Sequence, residues 1–267
     1  MAALKLLRQA LLRLLVLSLV ALAGVQFYFV ARIALMVVIA PESTAFERSE
    51  IYRITKTTGV LPWRQQWTPY AKISVNLQRA VIASEDASFT EHDGLDLEAL
   101  EKAWEKNAVA ERRAQKIAEQ QAAQAARLGK KPAPAVAQSP VAKPVKIVGG
   151  STITQQLAKN LFLSGERTLL RKGQELVLTL LLENLLGKQR ILEIYLNNVE
   201  WGEGIFGAEA AAQHYFRKPA ARLSPYEAAR LAVMLPRPRY FETRPNSDYL
   251  ATRANAIVAR MGSVDLP

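Results

Sequence analysis

The longest uninterrupted apolar stretch of the chain, LLVLSLVALAGVQFYFVA, covers the eighteen residues Leu14 to Ala31 without a charge. Wound as an α-helix it spans about 27 Å, close to the roughly 30 Å hydrocarbon thickness of a bilayer. The apolar pattern resumes from Ile33 to Ile39, which predicts a transmembrane anchor over residues 14–39. Lys5, Arg8 and Arg13 precede it, so the positive-inside bias assigns residues 1–13 to the cytoplasm and everything after Arg32 to the outer side. Ala21-Leu22-Ala23 also resembles the cleavage site of a removed signal peptide. Continuation of the run through Phe27, Tyr28 and Phe29 favours a retained anchor.

After the anchor, Pro41 to Tyr70 mixes charges with Trp63 and Trp67, aromatics suited either to a membrane interface or to covering a core. From Ile73 the pattern turns helical. Leu77, Val81 and Glu85 fall four apart with Ile82 beside them, which places Glu85 on the apolar stripe. Helical signals return over Thr152–Asn160, Thr168–Leu186 and Lys188–Asn197, and no run of period two competes with them. The expectation is a mainly α domain over residues 40–260. Between Glu101 and Lys146 the composition shifts to Ala, Gln, Lys and Arg, then to KKPAPAVAQSPVAKPVK. The first half fits a solvated helix and the second a flexible linker, a basic Ala/Pro-rich insertion at about residues 102–146.

Composition narrows the chemistry. The chain has no cysteine and only two histidines, His92 and His214, which excludes disulfides, thiolate metal sites and histidine-rich metal sites. Catalysis must run on carboxylates, amides, hydroxyls and cations. The net charge of +11 suits an anionic partner. The segment from Glu101 to Lys146 holds ten lysines and arginines against four glutamates, a concentration in a segment outside the core that argues against nucleic acid.

Three blocks carry candidate chemistry. In IASEDASFTEHDG, an ionised Glu85 among apolar neighbours is costly, which raises its pKa toward the range where it exchanges a proton near neutrality. A helix-terminal glutamate reaching for water is the plainer alternative. Asp86, Phe89, His92 and Gly94 supply more polar anchors and turn residues than a helix end requires. In GGSTITQQLAKN, Thr152 with Gln155 three residues on fits a capping box, leaving backbone N–H groups for an anion, and Gln155, Gln156 and Lys159 share one helical face. A capped helix with a polar outer face accounts for the same spacing. In RTLLRKGQE, Arg171 and Lys172 stand four and three residues before Glu175, within reach of its carboxylate. Such pairs also occur as ordinary surface ion pairs, but Glu175 heads the stripe Leu178, Leu182 and Leu185.

Taken in order, EDASFTEHDG, GGSTITQQLAKN, RKGQE and KQRILEIYLNNVEWGEGIFGAEAAAQHYF, followed by LAVMLPRPRY, resemble the motifs of the peptidoglycan glycosyltransferases of glycosyltransferase family 51 over roughly Trp67 to Tyr240. An anchor before such a domain resembles the monofunctional members, and no Ser-x-x-Lys motif of a transpeptidase occurs. The stretch Asp96 to Val148 departs from the family in its length.

The resemblance implies a lysozyme-like helical lobe with a smaller membrane-associated jaw lobe. The implied reaction is elongation of glycan strands from lipid II with release of undecaprenyl pyrophosphate. Glu85 would be the general base; Glu175, Lys159, Arg167, Arg171 and Lys172 would meet the donor sugar and pyrophosphate. Ser151, Thr152, Gln155 and Gln156, with Asp86, Phe89, His92, Gly94 and Asn197, would form the rest of the substrate site. No cofactor is required, although a divalent cation, Mg or Mn, on the pyrophosphate is compatible with the chemistry. Implied partners are lipid II, the growing strand, membrane lipids and other cell-wall synthesis or division proteins, with no nucleic acid, and the implied location is the inner membrane with the catalytic domain periplasmic. The rivals are a lytic enzyme on a related fold, which has no use for the cationic set, and a non-catalytic membrane scaffold, which has no use for the glutamates.

Overall fold

The computed structural model of the chain describes residues 2–127, 150–163 and 168–267. These fall into two units, Met1–Gly94 with Thr152–Pro267, and Leu95–Ser151.

The first unit begins with α1 (Ala2–Leu35), whose span Leu4–Leu35 is long and apolar enough to cross a membrane. The helix begins ahead of the expected anchor over residues 14–39 and ends within it. The helix already starts at Ala2, because the Ala, Leu, Lys and Arg of the first thirteen residues are good helix formers. It ends at Leu35 in a turn ahead of Pro41. Most of α1 is exposed, but Ile33, and Met36 just beyond the helix, are buried in the core. A helix α2 (Ala45–Thr58) follows, started by a Thr44–Glu47 capping box and stopped by Gly59 in the left-handed region.

The core of this unit is built from α3 (Val75–Glu85), α5 (Ile153–Phe162), α6 (Leu169–Leu185), α7 (Lys188–Asn198), α8 (Ala208–Phe216), α9 (Pro225–Met234), α10 (Pro238–Glu242) and α11 (Asp248–Val258). Leu77, Ala80, Val81 and Ile82 of α3 pack against the Ala/Leu face of α9, which in turn packs on α11. Leu157 and Leu161 of α5 meet Leu178 and Leu182 of α6 in the same core, and α6 also packs against α1. Trp201 is fully buried and donates to Leu231 O at 3.0 Å.

A small sheet that the periodicity does not signal links β1 (Arg64–Gln65), β3 (Ile205–Phe206) and β2 (Glu200–Gly202), in that spatial order. β1 is parallel and β2 antiparallel to β3. Strands of two or three residues are too short to display an alternation. Trp63 stacks on the buried Phe206 at 4.4 Å, and Trp67 lies under Arg190 and packs against the core.

The second unit contains α4 (Leu97–Arg127), most of whose side chains up to Gln120 are exposed. Asp96 starts it, accepting the Ala99 N–H at 2.7 Å. The Pro-rich half of the expected insertion lies outside the described residues; beyond it, Gly150 lies against Leu100 and Ala103 of α4.

Candidate active site

Glu85 ends α3 half-buried, where burial first and the neighbouring Asp86 second push its carboxyl above the ordinary glutamate range. Two groups oppose them: the Gln156 amide, donating to Glu85 Oε2 at 3.0 Å, and the charge of Lys159. Gln156 is itself held from behind, since the hydroxyl of Tyr195 on α7 donates to its Oε1 at 3.0 Å.

The residues after Glu85 build the frame that holds it. Asp86 is buried; its Oδ2 accepts the backbone N–H of Ile153 at 2.9 Å and its Oδ1 pairs with His92 Nε2 at 2.9 Å. His92 Nδ1 accepts the Gly94 N–H at 3.1 Å, which leaves Nε2 as the protonated nitrogen facing Asp86. The anion at the start of α5 is therefore the protein's own carboxylate. Phe89 is fully buried with Lys188 Nζ 4.6 Å over its ring, and Lys188 also pairs with Glu183 at 2.9 Å. Gly94 has φ +85°, and a Cβ there would lie 2.7 Å from Thr179 Cγ2, so both conformation and space demand glycine.

The capping box at Thr152 forms as its spacing predicts. Thr152 Oγ1 accepts the Gln155 N–H and Gln155 Oε1 accepts the Thr152 N–H, both at 3.1 Å, while Thr152 Oγ1 donates to Gly94 O at 2.7 Å. Thr152 and Gln155 thus fix α5, which turns Gln156 to Glu85 and leaves Lys159 one turn further on. Surrounding protein holds the Lys159 ammonium below the ordinary lysine pKa, with Arg171 and Lys172 adding to this, while Glu175 and Glu85 pull the other way. Lys159 is accordingly within electrostatic reach of both carboxylates.

On α6, Glu175 is 4% exposed and is paired with Arg171 at 3.1 Å and with Lys172. Arg171 Nε is buried without a hydrogen-bond partner among the described residues. Glu85, Gln156, Lys159, Glu175, Arg171 and Lys172 are thereby drawn together from α3, α5 and α6.

One expected residue stands apart. Asn197 is fully buried, accepting the Thr68 N–H at 2.7 Å and donating to Thr68 O and Glu193 O at 2.9 and 2.8 Å; its amide is spent on joining the Thr68 turn to α7. Ser151 closes the second unit, and Arg167 lies outside the described residues. Tyr195 is the residue that sequence reasoning misses. Its signal is a tyrosine on the buried face four residues after Ile191, since a buried phenol finds a hydrogen-bond partner. Gln174 is a second, exchanging amide hydrogen bonds with Gln26 of α1 at 3.1 and 3.4 Å.

A half-buried glutamate in contact with an amide and in the field of a lysine thus stands near the Glu175–Arg171–Lys172 cluster of α6 on a mainly helical fold. The chain matches the family described as Transglycosylase over residues 53–133 and 130–262. Among its relatives, the biosynthetic peptidoglycan transglycosylase of Burkholderia thailandensis is 50% identical over 242 residues, 91% of this chain and 82% of that protein. The protein of the same name from Herminiimonas arsenicoxydans is 45% identical over 263 residues, 98% of this chain and 100% of that protein. That of Burkholderia multivorans is 47% identical over 246 residues, 92% and 86% of the two chains. The chain belongs to the transglycosylase family.

Proposed function

We propose that the chain polymerises peptidoglycan glycan strands from lipid II. The 4-hydroxyl of an incoming lipid-linked disaccharide attacks C1 of the lipid-linked strand. The hydroxyl proton passes to Glu85, a C1–O bond forms, and the old C1–O bond breaks with its electron pair leaving on undecaprenyl pyrophosphate, inverting C1. A carboxyl held above its ordinary pKa is a stronger base once ionised, which suits this step.

The observation that carries the reading is Lys159, a cation in electrostatic reach of Glu85 and also of Glu175, Arg171 and Lys172. A pyrophosphate leaving group needs such a cluster and a neutral glycosidic leaving group does not. Arg171 Nε, which has no hydrogen-bond partner among the described residues, would be a donor for a phosphate oxygen. Arg167 would extend the cluster. The scheme needs no cofactor; a magnesium or manganese ion on the pyrophosphate would reinforce the same charge stabilisation.

In this reading α1 anchors the enzyme in the inner membrane with the site on the periplasmic side, as Lys5, Arg8 and Arg13 favour. Leu169 and Leu170, 93% and 89% exposed at the start of α6, would enter the same bilayer, where the lipid tails of the substrate lie. Purified protein incubated with labelled lipid II should yield polymer that a muramidase digests. Absence of polymer, or release of fragments from lipid-free strands, contradicts the proposal and favours a lytic enzyme.

A further inference from the structure

Tyr195 is 1% exposed, and its hydroxyl donates to Gln156 Oε1 at 3.0 Å while the other end of that amide, Nε2, donates to Glu85 Oε2 at 3.0 Å. The three groups come from α7, α5 and α3 and form a continuous line. Burial, with Glu85 and Asp86 adding to it, holds the phenol far above its ordinary pKa, so the hydroxyl keeps its proton throughout the working range.

An ionised Glu85 can only accept, so the amide nitrogen must face it and the amide oxygen must face α7. There the hydroxyl of Tyr195 meets the oxygen. A donor on the oxygen polarises the amide and strengthens the N–H directed at the carboxylate. Without it the amide oxygen loses that donor, and rotation of the amide would turn the oxygen toward Glu85, an arrangement that suits the protonated acid and not a base.

We propose that Tyr195 is a positioning residue for the transfer reaction, fixing the Gln156 amide so that its N–H faces Glu85 and keeps that carboxylate available as the base. The proposal rests on Glu85 being the base. The other charged groups facing Glu85 are Asp86, which follows it, and Lys159 on α5; neither takes part in the Tyr195–Gln156 bond, so both stay in place when the hydroxyl is removed.

The test is the pH dependence of kcat and kcat/KM with labelled lipid II, measured on the full chain in detergent for the parent, Y195F, Q156M, the double variant and E85Q. Phenylalanine keeps the ring and removes only the hydroxyl. In Y195F the acidic limb should move up by about half to one pH unit, a three- to tenfold rise in the proton affinity of Glu85. KM and the melting temperature should stay close to the parent's. Q156M should move the limb at least as far, and Y195F should add nothing in the Q156M background, the sign of one shared line of contacts. A merely structural tyrosine would lower kcat at every pH together with the melting temperature and leave the limb in place. That outcome, or additive shifts in the double variant, overturns the proposal. If Y195F does not fold, difluorotyrosine at position 195, a stronger donor of nearly the same shape, should move the limb down instead, and an unmoved limb there counts equally against the proposal. E85Q separates the two ideas: activity retained in E85Q overturns Glu85 as the base, whereas an inactive E85Q beside an unshifted Y195F overturns only the role of Tyr195.

Discussion

Asp86 Oδ2 accepts the backbone N–H of Ile153 at 2.9 Å, so the residue that follows Glu85 also seats the first turn of the helix carrying Gln156 and Lys159. Its other oxygen fixes His92, whose second nitrogen accepts from Gly94. Asp86→Asn keeps the shape but turns an acceptor into a donor facing Ile153 or His92 Nε2–H. The variant should lose about 1.5 to 3 kcal/mol of stability, the usual effect of removing a charged partner from buried hydrogen bonds. Denaturant unfolding in detergent measures it, and parental stability would show that the clamp is idle.

Gly94 stands at the far end of the same loop. Gly94→Ala forces an L side chain into φ +85° and into Thr179 Cγ2 and Glu183 Cγ, 2.7 and 2.9 Å away. Strain and overpacking together should cost about 2 to 4 kcal/mol. Because Thr152 bonds to Gly94 O, α5 should loosen too, seen as faster amide exchange in its first turn. A variant with the parent's melting curve contradicts this.

Glu47 is fully buried, accepting the Thr44 N–H at 2.8 Å and the Gln65 amide at 2.9 Å, and burial raises its pKa from 4.5 to about 7. A carboxyl raised in the folded state favours the fold while protonated: the contribution is complete below about pH 4.5 and is lost as pH rises through about 7. The loss amounts to about 3 kcal/mol. Glu47→Gln cannot ionise, so the stability of the parent relative to this variant should fall by that order between pH 4.5 and 8. A difference that stays level across this range counts against it.

The cationic cluster is tested by Lys159→Met and Arg171→Met. If both meet the pyrophosphate, each should lower kcat/KM for lipid II about ten- to a hundredfold, the effect of losing a charge-assisted contact of roughly 1.5 to 3 kcal/mol. Arg171→Met should also lower stability, since it takes one of two cations from the buried Glu175 carboxylate. Lipid II turnover unaffected by both changes removes the case for a phosphate at this cluster.

What could be read from the sequence was local. The start of α5 follows from Thr152 and Gln155, the withdrawal of Glu85 and Glu175 from the solvated faces from their places on the Leu77–Val81 and Leu178–Leu182 stripes, and the pairing of Arg171 and Lys172 with Glu175 from helical spacing. What could not be read joins distant segments. Asn197 matches a family motif, but its role depends on Thr68, 129 residues away. Asp86 serves α5 across 67 residues, and Gln156 meets Tyr195 and Glu85 from different helices. Hydrophobic period says which face is buried and nothing about which polar groups meet there.

The central claim is that Glu85 takes the proton of the attacking hydroxyl, and Glu85→Gln tests it most directly. The amide fills the same space beside Gln156 but cannot accept a proton. Polymerisation of labelled lipid II by the purified variant should fall by about a hundredfold or more, the scale of losing a general base, with the melting temperature near the parent's. Polymer formed at a rate near the parent's by a folded Glu85→Gln protein would contradict the account.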